Sequence, residues 1–156
     1  MALFLVQHGI SAAKDIDPER GLTAQGKAET KRIAEVAKGY RIGVRKIVHS
    51  GKNRAEQTAA IYHEALHVQT PLERVAGLNP NDDVQLFVRT IQPESEVMVI
   101  GHMPFLQRLV SLLITGDEDL KVYQFQNSGI VCLDTDEGKD GKACWFIKWT
   151  LNPHIS

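Results

Sequence analysis

Apolar positions recur along the chain in two rhythms, and their alternation predicts the architecture. Ala2 to Val6 is an unbroken apolar run, which reads as a strand over 2–7 buried on both faces, as in a parallel sheet. The stretch TAQGKAETKRIAEVAKGY instead places Ala28, Ile33, Val36 and Ala37 at helical spacing, with Thr23 as N-cap and Gly39 as the C-terminal stop. The two rhythms then repeat. RKIVHS is a second strand, residues 54–66 a second helix, and Thr70 to Val75 a short strand. Asp82 and Asp83 are placed to cap the helix DVQLFVRTI, and EVMVIGH over 96–102 is another buried strand. Pro104 stands at the first helical position of FLQRLVSLLI, where its missing N–H costs nothing. Strands at about 129–134 and 144–151, joined by the turn sequence DEGKDGK, close the chain as a hairpin.

This alternation is the α/β class with a mainly parallel sheet. Across 156 residues, without linkers or repeats, it predicts one domain over 1–156 whose core needs neither disulfides nor metal. Eighteen basic and nineteen acidic residues leave a net charge of −1, which excludes a generic nucleic-acid surface. No apolar run is long enough to span a membrane, and the N-terminal one is short and lacks a charged leader. A cytoplasmic protein with no nucleic-acid or membrane partner is expected. Cys132 and Cys144, the only cysteines, lie in the two hairpin strands and are expected as reduced core residues, close enough to be cross-strand neighbours.

In such sheets ligands bind beyond the carboxyl ends of the strands. Three strands here end on chemically capable residues: Gln7-His8-Gly9, His49-Ser50 ahead of Arg54, and Gly101-His102 ahead of Pro104. Two histidines and an arginine would then meet at one sheet edge, beside the starts of two helices. That set suits a phosphoryl group. Helix N-termini and a guanidinium both offer donors to its oxygens. A neutral imidazole can attack phosphorus and hold the phosphoryl group as a phosphoramidate. A second imidazole, once protonated, can stabilise charge on the equatorial oxygens. Gly9 is expected to leave room for the ligand.

The blocks LVQHG at 5–9, SGKNRAEQT at 50–58 and GHMP at 101–104 closely resemble the signatures of the histidine phosphatase superfamily, which includes the phosphoglycerate mutases. The short chain, with Leu22-Thr23 and Gly26 between the first two blocks, is most similar to the small SixA-type phosphohistidine phosphatases. The resemblance implies a three-layer α/β/α sandwich of the phosphoglycerate-mutase type without a large lid insertion. It also implies a metal-independent hydrolase that needs no cofactor and removes phosphate from phosphohistidine on a protein. In it His8 is the phosphorylated nucleophile, with Gly9 supplying the carbonyl for its other ring nitrogen. Arg54 binds phosphate, His102 is the second pocket histidine, and the backbone N–H of Met103 faces the phosphate. A small-molecule phosphomonoesterase and a weakly active phosphate-binding regulatory module are the alternatives.

The chain departs from this pattern at several points. Gln7 stands where the family usually has arginine; its amide can donate to phosphate but supplies no charge, so weaker binding is expected. Met103 and Ile10 replace the usual asparagine and small or acidic residue. Mutases and alkyl phosphatases need a carboxylic acid for a poor leaving group, and Glu73 or Asp82 fits only by approximate position. Phosphohistidine relaxes that need, because an imidazole leaves more easily than an alkoxide. The interval of about 35 residues before the Gly-His block leaves little chain for a lid. His49 reads as a strand-end residue without a role, and His63 and His67 as surface residues despite their metal-like spacing. Ser128 is a candidate by position only. Lys14, Arg20, Lys31 and Lys52 could form a basic rim for an acidic phosphoprotein, but read first as ordinary surface charge.

Overall fold

The computed structural model describes residues 2–92 and 95–155. Six strands form one sheet in the order β3-β2-β4-β1-β5-β6: β1 (Ala2–Gln7), β2 (Lys46–His49), β3 (Glu73–Arg74), β4 (Val97–Gly101), β5 (Ile130–Glu137) and β6 (Ala143–Leu151). The first four pair in parallel, and β5 runs antiparallel to both β1 and β6. Helices α1 (Ala24–Gly39) and α2 (Asn53–Ala65) cover one face, and α3 (Val84–Val88) and α4 (Phe105–Thr115) cover the other. The three-layer α/β/α sandwich expected of the chain is therefore what it forms.

Strand alternation divides the core in two. Leu3 and Leu5 of β1 join Val99 of β4 and the α4 residues Phe105, Leu106 and Leu109. Phe4 and Val6 join Met98 and Ile100 with Ile33 and Ala34 of α1 and Ala55, Ala59 and Tyr62 of α2. Each fully buried leucine or phenylalanine here contributes about 1.5–3 kcal/mol relative to its exposed state. A one-residue slip of β1 would exchange the two sets and bury Gln7.

Several boundaries differ from the sequence reading, each for a local reason. Thr23 caps α1 as expected, its hydroxyl accepting from Gly26 N at 2.9 Å. Gly39 ends that helix, although it is Arg41 that takes the left-handed φ of 55°. The strand expected over Thr70 to Val75 shrinks to Glu73–Arg74, an edge strand behind Pro71, which has no N–H to pair. The third helix stops at Val88, where Thr90 turns both its N–H and its hydroxyl back to Phe87 O. Its cap is Asp83, whereas Asp82 accepts from Asn79 N in the preceding turn. Pro104 caps α4 rather than beginning it, and Leu106 N and Arg108 N bond back to His102 O and Pro104 O. Cys132 is buried, but Cys144 is exposed at the outer end of the hairpin. They pair with Trp149 and Asp136 respectively, so they are not cross-strand neighbours.

Candidate active site

The alternation that sorts the core also aims the two histidines. Phe4, Val6 and His8 occupy every second position along β1 and its end, as Met98, Ile100 and His102 do along β4. The register pairs Phe4 with Met98 and Val6 with Ile100. Continuing that ladder by one step, His8 N donates to Gly101 O at 3.1 Å. The two imidazoles emerge side by side on the α2-covered face, with centroids 5.1 Å apart and planes tilted by 50°.

Helix α2 brings Arg54 to the same point, and its Nε donates to His8 Nε2 at 3.3 Å. The other nitrogen of His8, Nδ1, lies 2.7 Å from Gly9 O. A carbonyl only accepts, so Nδ1 carries the proton and Nε2 presents a lone pair. The tautomer implied by the family resemblance is thus set by geometry. Gly9 serves this arrangement differently from the expectation. A Cβ there would sit 2.8 Å from Thr30 Oγ1 and 3.2 Å from Gly26 O, so the missing side chain admits α1 rather than a ligand.

His102 is anchored from the opposite side. Its Nε2 lies 2.6 Å from Ser50 Oγ at the end of β2. Its Nδ1 is buried and has no hydrogen-bond partner among the described residues. Burial holds His8 at a pKa of about 4, against the weaker pull of its Gly9 bond and with Arg54 and Arg20 adding to the depression. Burial likewise holds His102 at about 3, helped by His8, Arg54, Lys52 and Arg20. Both rings are neutral at neutral pH. The smaller charge contributions to both rings come from cations and from the other imidazole.

Arg20, expected as surface charge, is one of those cations. Its loop is tied down over the start of α2: Gln57 Oε1 accepts from Leu22 N at 2.7 Å, Asn53 Nδ2 reaches Glu19 O at 3.4 Å, and Asp17 accepts from Gly21 N at 2.9 Å. Arg20 itself takes a left-handed φ of 48°.

A hydrogen-bonded scaffold fixes the end of β1. Thr58 Oγ1 accepts from Gly9 N at 2.9 Å and donates to Arg54 O at 2.8 Å, joining the loop after His8 to the helix that carries Arg54. Asn127 Nδ2 donates to His8 O at 2.8 Å, and Ser128 N to Gln7 O at 2.8 Å. Buried Ser128 meets Thr30 Oγ1 at 2.7 Å, and its carbonyl accepts from Tyr62 OH at 2.5 Å. It is therefore a strut and not a pocket residue. The visible signal for this scaffold was Thr58, a polar residue within the buried Ala55-Thr58-Ala59-Tyr62 stripe of α2. His49, expected to be idle, is buried, and its Nδ1 accepts from Gly51 N at 3.0 Å.

The remaining candidates separate clearly. Gln7 ends β1 half-buried on the Leu3–Leu5 side, and its side chain makes no hydrogen bond among the described residues. Met103 follows His102 in the turn before α4 and packs against the core of that face. Neither proposed acid reaches the histidines. Glu73 pairs with Lys46 at 2.5 Å, at the start of β2 rather than its end, and Asp82 is held by Asn79 N at 2.8 Å. His63 lies 2.8 Å from Thr70 O, and no group of three or more potential metal ligands converges among the described residues. No helix there is long and apolar enough to cross a membrane.

No protein-family model matches the chain. It is 30% identical over 152 residues, 93% of its own length and 92% of the other's, to the phosphohistidine phosphatase SixA of Escherichia coli K12. Among solved structures it is similar to the protein histidine phosphatase SixA complexed with tungstate, with a TM-score of 0.81, 26% identity, and 98% and 97% of the two chains covered. It is also similar to the putative phosphohistidine phosphatase SixA of Agrobacterium tumefaciens, with a TM-score of 0.76, 25% identity and 97% of both chains covered. With the paired histidines, the arginine and this similarity along nearly its whole length, the chain belongs to the SixA phosphohistidine phosphatases of the histidine phosphatase superfamily.

Proposed function

We propose that the chain is a phosphatase acting on phosphohistidine in a protein, with His8 as nucleophile, Arg54 and His102 as phosphate-binding catalytic partners, and the Met103 N–H and Gln7 as further phosphate contacts. One observation carries the reading. The Nδ1–H···O bond from His8 to Gly9, 2.7 Å long, leaves Nε2 as a lone-pair nitrogen between Arg54 at 3.3 Å and the second imidazole.

In the first step His8 Nε2 attacks phosphorus, and the bond from phosphorus to the substrate imidazole breaks. The departing ring takes the bond's electron pair; protonated beforehand on its other nitrogen, it leaves as neutral imidazole. Water then attacks the phospho-His8 intermediate, which returns the electron pair to Nε2 and releases inorganic phosphate. Arg54 offers its guanidinium to the oxygens throughout. An incoming phosphoryl anion counteracts the cationic surroundings of His102 and favours its protonated form. His102 then carries an N–H on both ring nitrogens, keeping its Ser50 contact at Nε2 and adding a donor at the buried Nδ1, which has no partner among the described residues. Glu73 and Asp82, each held by another partner, fit a substrate whose leaving group needs no carboxylic acid.

The test compares dephosphorylation of a phosphohistidine protein with hydrolysis of an aryl phosphate, using wild type and His8→Ala. The expected result is rapid loss from the phosphoprotein, weak turnover of the aryl ester, and a fall of at least about 10³-fold in His8→Ala, as for loss of a nucleophile. Efficient aryl phosphate hydrolysis without phosphohistidine turnover would transfer the site to small phosphoesters. Phosphate binding without any turnover would make it a regulatory module.

A further inference from the structure

A second cleft adjoins the phosphoryl pocket on the β3 side. It has a volume of about 570 Å³ and runs from Ser50, Gly51 and Lys52 to Arg74, Gly77 and Asn79. Ser50, which lines it, is the residue whose hydroxyl lies 2.6 Å from His102 Nε2. Its two charged side chains are both cations, and neither forms an ion pair among the described residues. Of the carboxylates around it, Glu73 pairs with Lys46, Asp82 accepts from Asn79 N and Asp83 caps α3, while Glu56 in the first turn of α2 acts together with Arg74 on His49 and forms no ion pair with either cation among the described residues.

The backbone directs Arg74 into this place. Parallel pairing sets it opposite His49, and Val75 N continues the ladder to His49 O at 2.9 Å. Gly51 adopts a φ of 87°, and a Cβ there would fall 2.2 Å from Arg74 Nε. The stem of Arg74 therefore lies across the Gly51 backbone, one residue from the serine that holds the second histidine. Any residue other than glycine would displace it as well as strain the turn.

We propose that Lys52 and Arg74 form a second anion subsite, which takes the carboxylate of an acidic residue flanking the phosphohistidine of the protein substrate. The inference rests on the phosphohistidine phosphatase reading and adds a source of substrate selectivity to it. A guanidinium and an ammonium in an open polar cleft can recognise a carboxylate beside a phosphoryl group already held by Arg54. Such a contact adds little affinity alone but discriminates between flanking sequences.

The experiment measures binding of three peptides that carry a non-hydrolysable phosphohistidine analogue, flanked by glutamates, alanines or lysines. Fluorescence anisotropy on wild type, Arg74→Gln and Lys52→Gln gives the affinities. The glutamate peptide should bind wild type about fivefold more tightly than the alanine peptide, as for a partly exposed charge pair. Arg74→Gln should remove most of that preference and Lys52→Gln part of it. Arg74→Glu should reverse it toward the lysine-flanked peptide, a gain that a misfolded variant could not show. Equal binding of the glutamate and alanine peptides to wild type, or a preference that survives in Arg74→Gln, would overturn the subsite alone. Binding of none of the peptides while sulfate still binds would overturn the phosphoprotein reading, and the subsite's ligand with it.

Discussion

The two walls of the active site are built in opposite ways. On the α1–α2 side, the segment after β1 is fixed by Thr58, Asn127, Ser128 and Tyr62 through bonds of 2.5–2.9 Å, and Thr58, Ser128 and Tyr62 are completely buried. On the β3 side, the strand is two residues long and both residues are exposed. The cleft beyond it is lined by flexible cationic side chains and a loop. A nucleophile has to be held in one tautomer and one direction before substrate arrives, which favours a rigid, fully bonded wall. A wall that receives the rest of a protein substrate, as the proposed function has it, gains more from access and charge. On that reading the contrast lets a phosphatase combine a fixed reacting centre with access for a large substrate.

Breaking the rigid wall should have the largest effect. Thr58→Val is nearly isosteric, but it leaves the buried Gly9 N–H without its acceptor and frees Arg54 O, a loss of about 1–3 kcal/mol in stability. Because Thr58 touches no substrate and acts through the His8 loop, kcat should fall by about tenfold with KM little changed. Thr58→Ser, which retains the hydroxyl, should restore most of the rate. On the open side, Asn79→Ala should change stability by less than about 0.5 kcal/mol. Thermal unfolding and steady-state kinetics of the three variants check this, and equal costs on the two walls would break the contrast.

The pH response should distinguish the buried histidines from ordinary surface ones. In the native state His8 is held at about 4 and His102 at about 3, against 6.5 for an unconstrained imidazole. Below pH 6.5 the unfolded chain therefore binds protons that the native pocket refuses. The stability contributed by the neutral rings is fully present above 6.5 and is lost as pH falls toward 4. Tm should drop through that window, less steeply in His8→Asn. The acid limb of kcat/KM, which reports the free enzyme, should lie well below 6.5. Sulfate stays doubly charged over this range and favours protonated rings, so at pH 5 its binding should take up protons, measurable by calorimetry in buffers of different ionisation enthalpy. An acid limb at 6.5 would mean that the imidazoles are not desolvated.

How far the sequence could be read follows the same division. The two central strands were legible because a strand buried on both faces is an unbroken apolar run, and each ends abruptly on a histidine. That His8 and His102 share a face came only from the register of β1 with β4 in the structure. The scaffold was hidden because its bonds join residues far apart in sequence, such as Gly9 with Thr58 and His8 with Asn127, at separations of 49 and 119. Arg20 was hidden because a surface loop reveals its charge but not the helix it rests on. The exposed position of Cys144 was missed because a long hairpin carries its outer strand residues beyond the core, where apolar character no longer indicates burial.

Gln7→Arg should give the smallest effect, and its size measures how far the pocket already compensates for the missing family arginine. Gln7 contributes no charge, but the pocket has Arg54 at 3.3 Å from His8, and the charges of Arg20 and Lys52 also reach His102. A further guanidinium would add one charge-assisted contact to a dianion that three cations already attract. It would also depress both histidines further, opposing the protonation of His102 that the bound anion favours. The two consequences act against each other, so sulfate should bind only about threefold more tightly at pH 8, the scale of a partly screened charge pair. The gain should shrink as pH falls, because the added charge makes the bound-state protonation harder. A tenfold or larger gain, constant with pH, would show instead that Arg20 and Lys52 do not share the phosphate and that the open wall serves only the rest of the substrate.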